Sequence, residues 1–143
     1  MANILSCSTI TGLVDTLNGM NKPLDAYRIA LIRPGHKREY GPDIVDYYAL
    51  GDDEVVAPGY SAGGIGLTGR TAIVRDGVVS VEFDPIEIPA SSIKAVGGLI
   101  YNSNNMNRVL TVLSFGGVVS STKDVFTITG PKGSITAVRL KPR

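Results

Sequence analysis

The chain predicts an all-β fold: an antiparallel β-sandwich, with the jelly roll as one way of closing it, preceded by an N-terminal arm or short helix. Three observations lead there. From Arg70 onward, β-branched and aromatic runs recur at spacings of about 8–15 residues, bounded by Gly, Pro, Asn or Asp, enough for some seven or eight strands over the whole chain. No helical pattern separates these runs, so the crossover helices that parallel strands need are missing. The 143 residues include 17 Gly and 8 Pro, with 43% hydrophobic and 19% charged residues, which suits short elements and tight turns around one core.

Residues 1–25 stand apart from the domain at 26–143. Ile4, Ile10, Leu13, Val14 and Leu17 can share one side of a short helix ending before Gly19, with Thr9 or Thr11 as its cap. Gly12 weakens that helix, and an arm that orders on a partner is the other reading. Residues 27–33 read as a strand stopped by Pro34-Gly35. Residues 36–48 are polar and loop-like, with a helical turn expected near 43–48, and 52–69 form a long loop. Residues 71–75 and 78–84 should pair about Asp76-Gly77, with Val79, Val81 and Phe83 inward and Ser80, Glu82 and Asp84 outward. A short strand at 86–88 stops at Pro89. The next strand, 93–101, contains Gly97-Gly98, which signals a bulge or a close neighbouring backbone. An asparagine-rich turn at 102–107 leads to the most apolar strand, 108–115, ended by Gly116-Gly117. Residues 125–129 and 134–140 should form a last hairpin about 130–133.

One stretch imitates two enzyme motifs. Gly59-Tyr60-Ser61-Ala62-Gly63 spells a nucleophile elbow, and Gly64-Ile65-Gly66-Leu67-Thr68-Gly69 spells a dinucleotide fingerprint. Each motif requires a helix directly after its glycines. The residues that follow are β-rich, so the glycines are expected to feed a sheet. His36 is the single histidine and precedes Ser61, the reverse of the order the elbow requires. One His and one Cys cannot build a common zinc site, and Asp52-Asp53-Glu54 lacks the calcium-loop spacing. Glu82, Asp84 and Glu87 lie close in the chain, but without tryptophan platforms they read better as acids on an exposed sheet face than as a glycosidase pair. No catalytic residue, cofactor or metal is expected, and the chain reads as a non-enzyme.

The net charge is +1, which gives no general attraction to nucleic acid or to an anionic membrane. The apolar runs are too short to span a bilayer. Residues 1–21 lack the pattern of a signal peptide, and the lone Cys7 fits synthesis in a reducing cytoplasm. Six acids and no Lys or Arg fall between Glu39 and Gly69, while Lys132, Arg139, Lys141 and Arg143 make the C-terminus basic. This asymmetry reads either as two solvated faces or as steering between subunits. Four of the six tyrosines (40, 47, 48 and 60) gather in the acidic part, where they fill core edges or supply an interface. Tyr47, Tyr48, Asp52, Asp53, Glu54, Tyr60 and Leu67 are the candidate protein-contact residues.

The order of features from Tyr27 to Leu140 resembles that of small structural proteins of tailed double-stranded-DNA bacteriophages: capsid decoration or cement proteins and related head and tail components. An early strand Arg28-Ile29-Ala30-Leu31 precedes Asp53-Glu54-Val55 and Gly59-Tyr60-Ser61-Ala62-Gly63-Gly64, with Leu67 after them. The Asp76-Gly77 hairpin follows. Then Pro89-Ala90-Ser91-Ser92-Ile93-Lys94-Ala95 leads to Leu99-Ile100-Tyr101-Asn102, and Leu113-Ser114-Phe115-Gly116-Gly117 to Phe126-Thr127-Ile128-Thr129. Ile88 departs from the pattern, which calls for tryptophan there. The resemblance implies a non-enzymatic virion protein, assembled in the host cytoplasm, that binds and stabilises the lattice of the major capsid protein, with a homotrimer as the expected state. The loop 52–67 and the N-terminal arm are the expected contact regions. A tail or head–tail connector component is the alternative, and a carbohydrate- or receptor-binding module is a third reading.

Overall fold

Residues Tyr27–Ile32 form strand β2, in which every side chain except Arg28 is buried. A strand this continuously apolar must be covered on both faces, and that requirement organises the molecule. The computed structural model describes residues 3–75, 77–129 and 135–140. The other strands are β1 (Cys7–Ser8), β3 (Ile65–Gly66), β4 (Thr71–Arg75), β5 (Val78–Phe83), β6 (Ile86–Ser91), β7 (Lys94–Asn102), β8 (Arg108–Ser120), β9 (Asp124–Ile128) and β10 (Ile135–Leu140). One α-helix, α1 (Ile10–Leu17), precedes β2. Every pair of these strands is antiparallel, and the fold is the all-β class expected.

The strands make a central sheet in the order β1-β8-β7-β2-β3, a three-stranded sheet β10-β5-β4 and a two-stranded sheet β6-β9. On one face of the central sheet, Ile29, Leu31, Ile100 and Leu110 pack with Phe83 of β5, Ile86 and Ile88 of β6, Phe126 and Ile128 of β9, and Ile135 of β10. On the other face, Ala30, Ile32, Leu99, Tyr101, Val109 and Val112 lie under Tyr40, Ile44 and Leu50. The polar segment after β2 therefore supplies the cover for that face. It contains two single 3₁₀ turns, Tyr47–Ala49 and Gly51–Asp53, near the helical turn expected at 43–48.

Several local readings are met. Strand β2 ends before Pro34, Thr9 caps α1 by accepting from the Gly12 N–H at 2.8 Å, and Asn107 in the turn after β7 has φ +56°. Strands β4 and β5 pair with Arg75 opposite Val78. Asp76 of that turn, and 130–134 of the expected last hairpin, lie outside the described residues. The register of β7 against β8 shifts between Ala95 and Gly97, and a Cβ on Gly97 would sit 2.4 Å from the Leu113 carbonyl oxygen. Both the bulge and the close backbone foreseen for Gly97-Gly98 are present. The glycine-rich stretch feeds β3 and β4, with no helix after it among the described residues.

Other readings are corrected. Strands β9 and β10 do not pair with each other: β9 pairs with β6, and β10 with β5. The local pattern marks both as strands, but long-range burial of Phe126 and Ile135 selects their partners. Strand β8 does not end at Gly116-Gly117. It bulges there and runs on to Ser120, which pairs with Lys94. Strand β6 passes through Pro89 to Ser91, with the pairing interrupted between Ile88 and Ser91 where proline has no N–H to give. Glu82 is not on an exposed face. It is 4% exposed on the middle strand of its sheet and accepts from the Ser80 hydroxyl at 3.1 Å.

Helix α1 sits where β1 leaves the edge of β8. The Thr9 N–H donates to Leu110 O at 2.9 Å and its hydroxyl to Val109 O at 2.7 Å. The helix then comes so close that a Cβ on Gly12 would lie 2.4 Å from Leu110 O. The glycine that argued against a helix is what lets this helix dock. Gly12→Ala should thus destabilise the protein by about 1–3 kcal/mol, although alanine is the better helix former. Urea unfolding checks this, with Gly41→Ala, where nothing lies within 4 Å and the backbone is not left-handed, as the comparison.

Candidate interaction surface

Two adjacent acids, Asp53 and Glu54, hold the covering segment in place. Ile32 and Glu54 form an antiparallel bridge, and Val55 N–H donates to Leu31 O at 3.0 Å, so the segment runs along β2. Alternation along that stretch sends the two carboxylates in opposite directions. Asp53 accepts from the backbone N–H groups of Lys37 at 2.9 Å and Arg38 at 3.0 Å and from the Tyr40 hydroxyl at 2.7 Å, with Arg33 at 3.7 Å. Burial alone would raise its pKa, but these donors and the Arg33 charge prevail and hold it below the ordinary 3.8.

Glu54 binds the glycine-rich loop. Its carboxylate accepts from the Tyr47 and Tyr60 hydroxyls, each at 2.5 Å, and from Gly63 N–H at 2.9 Å. The Tyr60 hydroxyl also accepts from Leu31 N–H at 3.0 Å. Burial, reinforced by the Glu54 carboxylate, pushes both tyrosines well above their ordinary 10.0. Tyr101 stacks on Tyr47 with centroids 5.0 Å apart and donates its hydroxyl to Gly63 O. Arg28 completes the clamp by donating to Gly63 O at 3.2 Å and Gly64 O at 2.5 Å. Gly64 is forced here: its φ is +87°, and a Cβ would lie 1.8 Å from Ile29 O.

The seven candidate contact residues therefore separate. Asp53, Glu54 and Tyr60 are buried, Tyr47 is half-buried, and Leu67 packs against the core with its N–H bonded to Tyr27 O. Their polar atoms are spent inside the protein. Tyr48 and Asp52 are exposed, and Tyr48 accepts from Asn107 Nδ2 at 2.9 Å. Val56, beside the pinned loop, is fully in solvent at 98% exposure. His36 bonds to Arg38 O and packs edge-on to Tyr40, so its ring belongs to the covering segment.

The larger surface feature lies in the N-terminal segment. Ile4 and Cys7 pack against the core, and many of its other inward contacts are polar. Asp15 accepts from Arg108 Nε at 2.7 Å and Asn105 Nδ2 at 3.2 Å, and Asn102 Nδ2 donates to Asn21 at 3.1 Å and Asp25 at 2.9 Å. Leu13 packs toward the core, but Ile10, Val14 and Leu17 face solvent. Leu5, Met20 and Leu24, elsewhere in the segment, are exposed as well. The helical spacing was legible; its outward direction was not, because spacing defines a face without saying which way it points. The signal available was Asp15 among apolar neighbours, opposite the stripe.

Two outcomes test the acid anchors. Glu54→Gln replaces an acceptor oxygen with an amide NH₂ facing a donor and should cost about 1–3 kcal/mol in urea unfolding. The stabilisation from Asp53 is complete above the unfolded-state value near 3.8 and is lost as pH falls through the lower folded value. The stability gap between wild type and Asp53→Asn should therefore be constant near neutrality and shrink below about pH 4. Searches of known protein families, characterised proteins and solved structures gave no match to this chain.

Proposed function

We propose that this chain is a non-enzymatic structural protein of a virion, a capsid decoration or cement protein that binds the lattice of the major capsid protein in several copies. The carrying observation is helix α1, which turns Ile10, Val14 and Leu17 to solvent and Asp15 to its own sheet. Exposed apolar rows on a small folded protein mark surfaces for other proteins. The ordered resemblance from Tyr27 to Leu140 to phage structural proteins supports the same reading. So does the clamped glycine-rich loop, a rigid platform that meets a partner without loss of loop entropy. Such a protein stabilises a shell by mass action, with many modest contacts that favour the assembled lattice.

Sedimentation with DNA-free heads of the phage encoding the chain tests the reading. Saturable binding and a raised melting temperature of the heads are expected. Deletion of residues 2–21 should reduce bound protein at least tenfold. Binding to tails in place of heads would move the protein to the tail, and binding to neither would end the proposal.

A further inference from the structure

The row Ile10, Val14 and Leu17 occupies positions i, i+4 and i+7 of α1, the spacing that lines up one side of a helix. These side chains are 57%, 48% and 74% exposed. The helix cannot turn them inward, because Gly12 is fixed against Leu110 and Asp15 against Arg108. Val45, Tyr48 and Met106 are exposed close by. Val45 O accepts from Val109 N–H, the strand end on which Thr9 is seated, and Asn107 next to Met106 bonds Tyr48.

We propose that a second copy of this chain covers this stripe. The inference names the self-contact within the several-copy reading above. Two features favour a copy over a foreign partner. First, charge: on the helix itself, from Thr9 to Met20, the only charged residue is Asp15, and it is held inward by Arg108. The helix faces of two copies can therefore meet without like charges on either helix, as an interface of a surface with itself requires. A foreign charged partner would find no countercharge on the exposed face of the helix. Second, area: a fully buried aliphatic side chain removes roughly 60–120 Å² of apolar surface. Scaled by their exposures, Ile10, Val14 and Leu17 with the neighbouring Val45, Tyr48 and Met106 offer roughly 220–440 Å² per copy. The apolar share of a standard interface is about 450 Å² per partner, so a stripe-to-stripe contact that takes in these six residues approaches the size of a stable one.

Light scattering after size exclusion tests this without any capsid present, so its failure is separable from failure of lattice binding. The wild-type chain should run as a multiple of 15.1 kDa at micromolar concentration. The triple variant Ile10→Ser, Val14→Ser, Leu17→Ser should run at the mass of one chain, or dissociate at a concentration at least 100-fold higher. Its circular dichroism should be unchanged, since the three side chains are exposed. Should that variant fold poorly, Leu17→Cys in a Cys7→Ser background should form an interchain disulfide on mild oxidation, while Val74→Cys, 70% exposed elsewhere, should not. A wild-type chain that stays monomeric, a triple variant that keeps the wild-type mass, or equal cross-linking at positions 17 and 74 would each overturn the proposal. A monomeric protein whose triple variant loses binding to heads would assign the stripe to the lattice.

Discussion

A carboxylate placed inside a protein must be surrounded by donors, and Glu54 sets this requirement for a large part of the molecule. Its donors come from three places: the 3₁₀ turn carrying Tyr47, the loop residue Tyr60, and the backbone of Gly63. None can leave without exposing or orphaning the charge. Tyr60 in turn satisfies Leu31 N–H, a backbone group of the central sheet buried where no strand pairs with it. One acid thus closes the edge of β2, seats the covering segment and pins the glycine-rich loop. Asp53 does the same work in the opposite direction by gathering residues 37–40. The glycines that spell enzyme motifs serve this packing. Gly64 passes over Ile29 where no side chain fits, and Arg28 and Tyr101 grip the carbonyls beside it.

The N-terminal segment follows a different logic. Eight helical residues in isolation are too few to hold a helix in water. Here the helix persists because its start is fixed by Thr9 to the backbone of β8, its flank by the Asp15–Arg108 pair, and its exit by Asn102 on Asn21 and Asp25. The asparagine-rich turn between β7 and β8 is the receiving half of this latch: Asn104 Oδ1 accepts from Ala26 N–H, and Ser103 donates to Ala26 O. Asp15 is largely shielded, so its bond to Arg108 is stronger than a surface ion pair, though desolvation offsets part of the gain. Because these hydrogen bonds fix the helix, Ile10, Val14 and Leu17 are left for other duty.

What could be read from the sequence is what local chemistry decides. The continuous apolar run at β2, the threonine cap, the asparagine turn and the glycine pair of β7 each carry their cause within a few residues. What escaped reading depends on distant partners. Strand β10 pairs with β5, more than fifty residues earlier, and nothing between 125 and 140 states this. The alternation in β5 correctly put Val81 and Phe83 in the core, but it could not reveal that Glu82 is covered as well. Asp53 and Glu54 looked like solvated acids in an acidic stretch, because their donors are mostly backbone N–H groups and tyrosine hydroxyls that composition does not rank as partners. The helix showed its stripe but not its direction, which Gly12 settles only once Leu110 is known to lie against it.

The latch bears on how such a segment associates. An arm that orders only on its partner loses conformational entropy at the moment of binding, and its affinity falls accordingly. In this molecule residues 3–25 are already ordered by their own sheet, so that loss is met during folding. The apolar stripe is presented on a preformed helix, and a partner meets a surface whose geometry is set. The consequence is that polar residues far from the stripe govern its availability. Arg108 and Asn105 hold Asp15 on the side opposite Ile10, Val14 and Leu17, and so determine whether the stripe faces outward at all. Asn102 and Thr9 fix the two ends of the segment and so set where the stripe lies. The contact surface is thus defined by the hydrogen bonds behind it as much as by the side chains on it.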